Sequence, residues 1–299
     1  MCNAYHIRDI LQEMKQEELS LATLVARECK RLLEDTRLAS WFQEKLEQSS
    51  DSRSFFIHFG LMGRKVPRVV IKPSSDIIAH LQARHTGFDP ATWTLDDFCR
   101  LALMLRLDPA QGLEYIKTLV AAADMREQVI VYRSLPYFSN AEEYVMMAID
   151  GIRTNMVAVF DAIAMDNQYP ATYFEEAAWN QMVLKAIFME RPLYRIIGLD
   201  DRKNARLANI LHDFTHERWS AGRPVTPELW RLVDGFIDDG IFADLQKVMH
   251  DGTSLAKQAA GKVLANTEFK PAIDWWRRQS FETPEVSWEA IGQSIQVKS

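Results

Sequence analysis

The chain has 299 residues, of which 47% are hydrophobic and 25% charged, and its formal net charge is −6. That much apolar material offsets chain entropy and excludes disorder over most of the length. The negative balance argues against a surface built to neutralise nucleic-acid phosphates, and Cys2, Cys29 and Cys99 are too few and too widely spaced for a disulfide framework or a zinc pattern.

The first residues, Met1 to His6, lack the basic start and apolar core of a signal peptide. No stretch approaches the roughly 20 apolar residues that a bilayer span requires. A cytoplasmic protein with no transmembrane segment is the expectation, and any membrane role would be peripheral.

Nearly every segment with clear periodicity has the helical one. Helices are expected from about Ile7, Glu18 and Thr36, the second with a stripe of Leu21, Leu24, Val25 and Leu32. The stretch from Ser54 to Lys72 is ambiguous: Phe55-Phe56-Ile57 can open a short helix, and Val69-Val70-Ile71 can be extended before Pro73. Thr94 with Asp97 resembles a capping box for a helix carrying Leu95, Phe98, Leu101, Ala102 and Leu105. Asp108-Pro109 ends that helix and begins the next, with Leu113, Ile116 and Val120 on one face.

A short helix from Arg126 to Ser134 stops at Pro136. Ser139 with Glu142 then reads as the capping box of one long helix, striped by Val145, Ala148, Ile149, Ile152, Met156, Val159, Phe160 and Ile163. Gly151 weakens it locally and marks a kink or a close helix contact. The next helix, about Tyr173 to Met189, is apolar nearly all round. Asn204 to Ser220 follows, closed by a left-handed Gly222, and Thr226-Pro227 supplies an N-cap and first-turn proline for its successor. Two or three more helices fill Phe242 to Gln279, and the last twenty residues read as a loosely held polar tail.

This order implies an all-α fold, an irregular α–α superhelix of stacked helices in the manner of HEAT and TPR arrays, without a repeat of fixed period. The organisation expected is an N-terminal helical region over 1–92, a helical core over 93–278 and a polar tail over 279–299, together one structural unit.

Candidate chemistry lies in polar residues of helices that otherwise look buried. His212 and His216 are one turn apart, a spacing that can present two imidazoles to a metal. They lie opposite the stripe of Leu207, Ile210, Leu211 and Phe214, however, which favours solvated or helix-packing histidines. Arg218 continues the apolar stripe and needs a carboxylate or carbonyl partner, or must snorkel outward. Asp150, Thr154 and Asp161 share one face of the long helix, with the carboxylates about 16 Å apart, too far for paired acid–base work. Beside Trp179, the polar Asn180, Gln181 and Lys185 need partners, for which Asp161 or Asp166 are candidates. A glycine-rich phosphate loop, a nucleophile elbow and an EF-hand loop are all missing, and no cofactor is implied.

Four segments carry a family resemblance. These are Ala123 to Gln128; Phe160 to Ala164 with Asp166-Asn167 and Tyr169-Pro170; Ala178 to Ala186; and His216-Glu217-Arg218-Trp219 with Ala221 to Pro224 and Pro227 to Arg231. Together they resemble EboA, a bacterial family of metabolite traffic proteins, over roughly Trp93 to Gly235. The resemblance implies a place beside a prenyltransferase-like membrane protein and a sugar-phosphate cyclase-like enzyme, moving secondary-metabolite precursors such as those of scytonemin toward the periplasm. It transfers no catalytic residue.

The expected function is therefore a cytoplasmic binding or adaptor protein that holds a small metabolite, or a pathway protein at the membrane, in a polar-lined groove. Its candidate lining is Arg126, Glu127, Asp161, Asp166, Asn167, Trp179, Asn180, Lys185, His216, Glu217 and Arg218. The alternative is an enzyme of the same pathway using Asp161, Asp166, Glu217 and His216 as acid–base groups, with His212 and His216 recruited by a metal-dependent version.

Overall fold

The structure, a computed structural model, describes residues 21–279 and 281–296. Among the described residues there is no strand, and the fold is all-α. The helix expected from Ile7 lies outside them. The chain folds as two compact units, divided between Tyr173 and Phe174, inside the stretch 93–278.

In the first unit, α1 (21–32) and the residue after it bury Val25, Cys29 and Leu33. Asp35 caps α2 (Thr36–Glu47) by accepting the N–H groups of Arg37 and Leu38. The ambiguous stretch resolves into α3 (Ser52–Lys65), opened by a capping box between Asp51 and Ser54. Phe55, Phe59 and Met62 form its buried stripe, so burial overrides the helix cost of Gly60 and Gly63. Beyond α3 the chain is extended: Ile71 N–H donates to Trp93 and Leu95 N–H to Val69, pinning the start of the helix that begins at Leu95.

Helices α4 (Ser75–Arg84), α5 (Leu95–Met104) and α6 (Pro109–Ala122) follow. α5 is buried nearly all round, while Asp108 caps α6 as its Asp-Pro start foretells. The capping box expected at Thr94 does not form. Thr94 is the N-cap residue, but its hydroxyl lies 2.6 Å from Asp96 Oδ1 and 2.8 Å from Asp97 Oδ2 and makes no backbone capping bond.

α7 (Met125–Ser134) packs along α9 (Val157–Ala164). The single long helix expected from Ser139 to Ile163 is two helices, α8 (Val145–Ile152) and α9, preceded by a 3₁₀ turn over Ala141–Tyr144. Ser139 is not the cap. The break at 153–156 folds the two halves against each other, and Gly151 is where they meet: a Cβ there would sit 2.6 Å from Ile163 Cδ1 and 2.7 Å from the Tyr132 ring. The stripe was continuous because both halves face one core, not because one helix runs through. α10 (Tyr169–Tyr173) closes the unit.

The second unit opens with α11 (Glu176–Phe188), separated from α10 by Phe174-Glu175, so the helix expected from Tyr173 to Met189 is shorter. A 3₁₀ turn over Leu193–Arg195 leads to α12 (Ala205–Ser220), whose N-cap Asn204 accepts the Leu207 N–H. Gly222 takes the anticipated left-handed backbone, φ 68°. Thr226-Pro227 begins a 3₁₀ helix over Pro227–Leu232. Then come α13 (Asp239–Asp251), α14 (Ser254–Asn266) and α15 (Lys270–Arg278). The terminal stretch is not loose throughout: α16 (Trp288–Gln296) buries Ile291 and Gly292 against the segments at 193–195 and 227–232.

Candidate ligand-binding cavity

Ridges of α11, α12, α13 and the 3₁₀ helix at 227–232 leave a cavity of about 840 Å³ in the second unit. Its aromatic walls include Phe188 and Phe214, whose rings meet edge to face at 5.0 Å, and Trp219 and Trp230, 6.2 Å apart. Phe188 is 66% exposed, an unusual position for a phenylalanine. Lys247 Nζ lies 4.2 Å from the centroid of the Trp219 ring, a cation–π contact on the same wall. The volume is in the range of small-molecule sites, about 300–1,000 Å³, and the mixture of apolar faces with a few charges is typical of them.

Arg218 is held in this wall by its own helix end. Its Nε and Nη2 donate to the Pro224 carbonyl at 3.0 and 2.9 Å, while the Arg223 N–H donates to the Arg218 carbonyl. The arginine thus closes the 221–226 loop, which the left-handed Gly222 reverses. The carbonyl partner foreseen for a stripe arginine is Pro224.

Glu228, 2% exposed, is a buried carboxylate in the lining. Its carboxylate accepts Leu193 N–H at 3.1 Å and Tyr194 N–H at 2.6 Å, fastening the 193–195 turn to the 227–232 helix. Burial pushes its pKa up to about 7, against the lowering effect of those two backbone donors and of Arg231. Trp230 Nε1 is buried with no hydrogen-bond partner among the described residues. Opposite, Gly292 of α16 allows close approach: a Cβ there would overlap the Tyr194 ring and lie 2.8 Å from Glu228 Oε1.

Of the residues singled out in the sequence, Arg218 lines the cavity. Asn180 is buried elsewhere in the unit and exchanges amide hydrogen bonds with Asn204, at 3.1 and 2.8 Å, so it pins the start of α12. Trp179 is fully buried, with Arg202 stacked 4.9 Å from its ring centroid. Lys185 is half-buried on α11, its pKa lowered by burial, while Glu217 is exposed. His212 and His216 both meet Asp244 of α13: His212 Nδ1 is 2.7 Å from Oδ2 and His216 Nε2 2.9 Å from Oδ1.

The remaining candidates belong to the first unit. Arg126 is exposed at the start of α7. Glu127 completes a capping box with Asp124 and receives Arg100 at 3.4 Å. Asp161 and Asp166 are half-buried. Asn167 is buried and structural: it donates to the Ala162 carbonyl at 2.9 Å and accepts Tyr169 N–H at 2.9 Å, turning the chain from α9 into α10. Asp150 pairs with Arg153 on the surface, and Thr154 sits in the break between α8 and α9, so Asp150, Thr154 and Asp161 do not share one helix face.

The sequence reading passed over several residues that matter. Arg100 is buried among Asp96, Asp97 and Glu127, donates to the Phe59 carbonyl, and fills space that Gly63 leaves free. Asp244 lies on the buried face of α13 with Ile241, Leu245 and Val248. In both cases the available signal was a charge inside an apolar stripe, the pattern that drew attention to Arg218. Trp219, Glu228 and Trp230 stood within the motifs of the family resemblance but read as ordinary helix residues.

The protein is all-α, and its second unit carries an open, ligand-sized cavity walled by aromatic and charged side chains. The model of the family described as metabolite traffic protein EboA matches residues 22–234. The chain belongs to the EboA family. The match reaches well into the N-terminal ninety residues, which by motif alone carried little of the likeness. No curated protein and no solved structure matches the chain.

Proposed function

We propose that this protein binds a small metabolite in the second-unit cavity and passes it along a metabolite-traffic route, working from the cytoplasmic side without crossing the bilayer. The observation that carries the reading is coincidence. The two segments most specific to the family resemblance, His216 to Pro224 and Pro227 to Arg231, supply Arg218, Trp219, Pro224, Glu228 and Trp230 to one cavity of about 840 Å³. Aromatic faces beside Arg218 and Lys247 suit a ligand with a planar or hydrocarbon body and polar or anionic substituents. Among the described residues no helix is long and apolar enough to cross a membrane, which fits a component that delivers to a membrane partner.

A second reading, an enzyme acting on a polar or prenylated metabolite, has one observation in its favour. Glu228 lines the cavity with a carboxyl raised to about 7, inside the range useful for general acid–base work. Both of its oxygens already accept backbone N–H groups, so positioning the wall accounts for it more directly.

Untargeted metabolite capture on the purified chain tests the binding reading. An enriched compound should be retained by wild type and by the exposed first-unit variant Arg126→Ala, and lost from Trp219→Ala and Phe188→Ala. Phe188→Ala should change stability by only about 0.5 kcal/mol, because its ring is mostly exposed. Equal retention by all four proteins, with circular dichroism showing each folded, overturns the cavity assignment.

A further inference from the structure

We propose that His212, His216 and Asp244 form a binding site for a divalent transition-metal ion of the zinc, iron or cobalt type. The site adjoins the metabolite cavity through Trp219, but none of the three residues lines that cavity. α12 presents His212 and His216 one turn apart, with ring centroids 4.6 Å from each other. The adjoining face of α12 is fixed in the core by Leu207, Ala208, Leu211 and Thr215, and at its edge both imidazoles meet Asp244 of α13.

There the third donor waits. Asp244 sits among Ile241, Leu245 and Val248 on the buried face, its side chain only 6% exposed. One oxygen lies 2.7 Å from His212 Nδ1 and the other 2.9 Å from His216 Nε2, and one ligand atom from each residue falls within 4.8 Å of the others. Gly240, one turn before Asp244, admits the His212 ring: a Cβ would stand 3.2 Å from Cε1.

Two imidazole nitrogens and one carboxylate oxygen select against calcium and magnesium, which prefer all-oxygen shells, and suit zinc or ferrous iron. An ion held here would replace the two His–Asp contacts and sit about 2.0–2.2 Å from each donor. Three protein ligands leave coordination positions open, and the side chains of His212 and His216 are 29% and 55% exposed, so those positions face solvent. This is the arrangement of an ion that takes an exchangeable ligand, whereas structural zinc is closed by four protein ligands. The Trp219 ring lies 5.8 Å from His216, which puts an aromatic reporter beside the ion. The alternative is a metal-free cross-link, with Asp244 accepting from both imidazoles.

Cobalt(II) titration of the untagged, metal-stripped chain separates the two. The expected result is one equivalent bound, with visible ligand-field absorption and quenching of Trp219 fluorescence. His216→Ala, at a half-exposed position, should fold normally and bind at least about tenfold more weakly, since even outer-shell partners of metal ligands are worth about 10–100-fold. Asp244→Asn should do the same, while His80→Ala, an exposed histidine of the first unit, should bind like wild type. No saturable absorption, or equal affinity in wild type and His216→Ala, overturns the site and leaves the cross-link.

Discussion

Buried Arg100 in the first unit and buried Glu228 in the second find their partners in opposite ways. In the first, Arg100 meets Asp96, Asp97 and Glu127, three carboxylates from its own helix and the start of α7, with Arg68 also on Asp96. The cluster is closed, charge against charge. In the second, Glu228 meets two backbone N–H groups of a turn, and beside it is an open cavity with the unpartnered indole Nε1 of Trp230. A charge in an apolar stripe has no single meaning. Where its partners are side-chain charges it stitches helices together; where they are backbone groups beside a cavity it shapes a wall.

The largest way to break this contrast is Arg100→Met. It leaves Asp96 buried and short of its cation, and loss of one partner of a buried pair costs about 3–5 kcal/mol. Chemical denaturation should show that loss, whereas cavity binding by the folded fraction should be untouched.

The pH dependence should run in opposite senses for one buried group in each unit. Burial lowers the pKa of His85 from 6.5 to about 4, partly offset by Gln168, so the folded first unit keeps it neutral where the unfolded chain would protonate it. Its contribution to stability is complete above about 6.5 and is lost as pH falls toward about 4, a difference of about 3 kcal/mol. Burial raises Glu228 from 4.5 to about 7, so the folded second unit holds a proton that the unfolded chain has released. Its contribution is complete below about 4.5 and is lost as pH rises through about 7, again about 3 kcal/mol. Hydrogen exchange between pH 4.5 and 7, comparing wild type with His85→Gln and Glu228→Gln, isolates each residue from other titrating groups such as Asp97. Slopes of the same sign in the two units would refute the assignment.

A smaller effect separates packing from function. Gly151→Ala and Gly292→Ala each force a methyl into occupied space and should cost about 1–3 kcal/mol. Only the second should also alter metabolite retention, because Gly292 seats α16 against Tyr194 and Glu228. Loss of retention in Gly151→Ala at full folding would mean that the cavity reading is too narrow.

Much of the secondary structure was legible because it is decided locally. Asp108-Pro109, Asn204 and Gly222 act on their own backbone neighbours, and all three do what their chemistry requires. The 139–163 region was misjudged because two helices facing one core preserve the spacing of one helix. Only the contact of Gly151 with Ile163 and Tyr132 reveals the fold-back. The stretch 54–72 is ambiguous in sequence because glycines weaken its helical part, which the burial of Phe55, Phe59 and Met62 then outweighs.

The candidate site divides along the same line. The sequence by itself determined the all-α class, the family, and Arg218 as one residue to examine among candidates spread from Arg126 to Arg218, since these depend on periodicity, capping chemistry and motif. Only the tertiary structure decided that Arg218, Trp219, Glu228 and Trp230 share a cavity with Lys247, and that His212 and His216 converge on Asp244. A stripe tells which face of a helix is buried. Which charge on a neighbouring helix it will meet depends on how the helices pack, and that is a property of the whole unit.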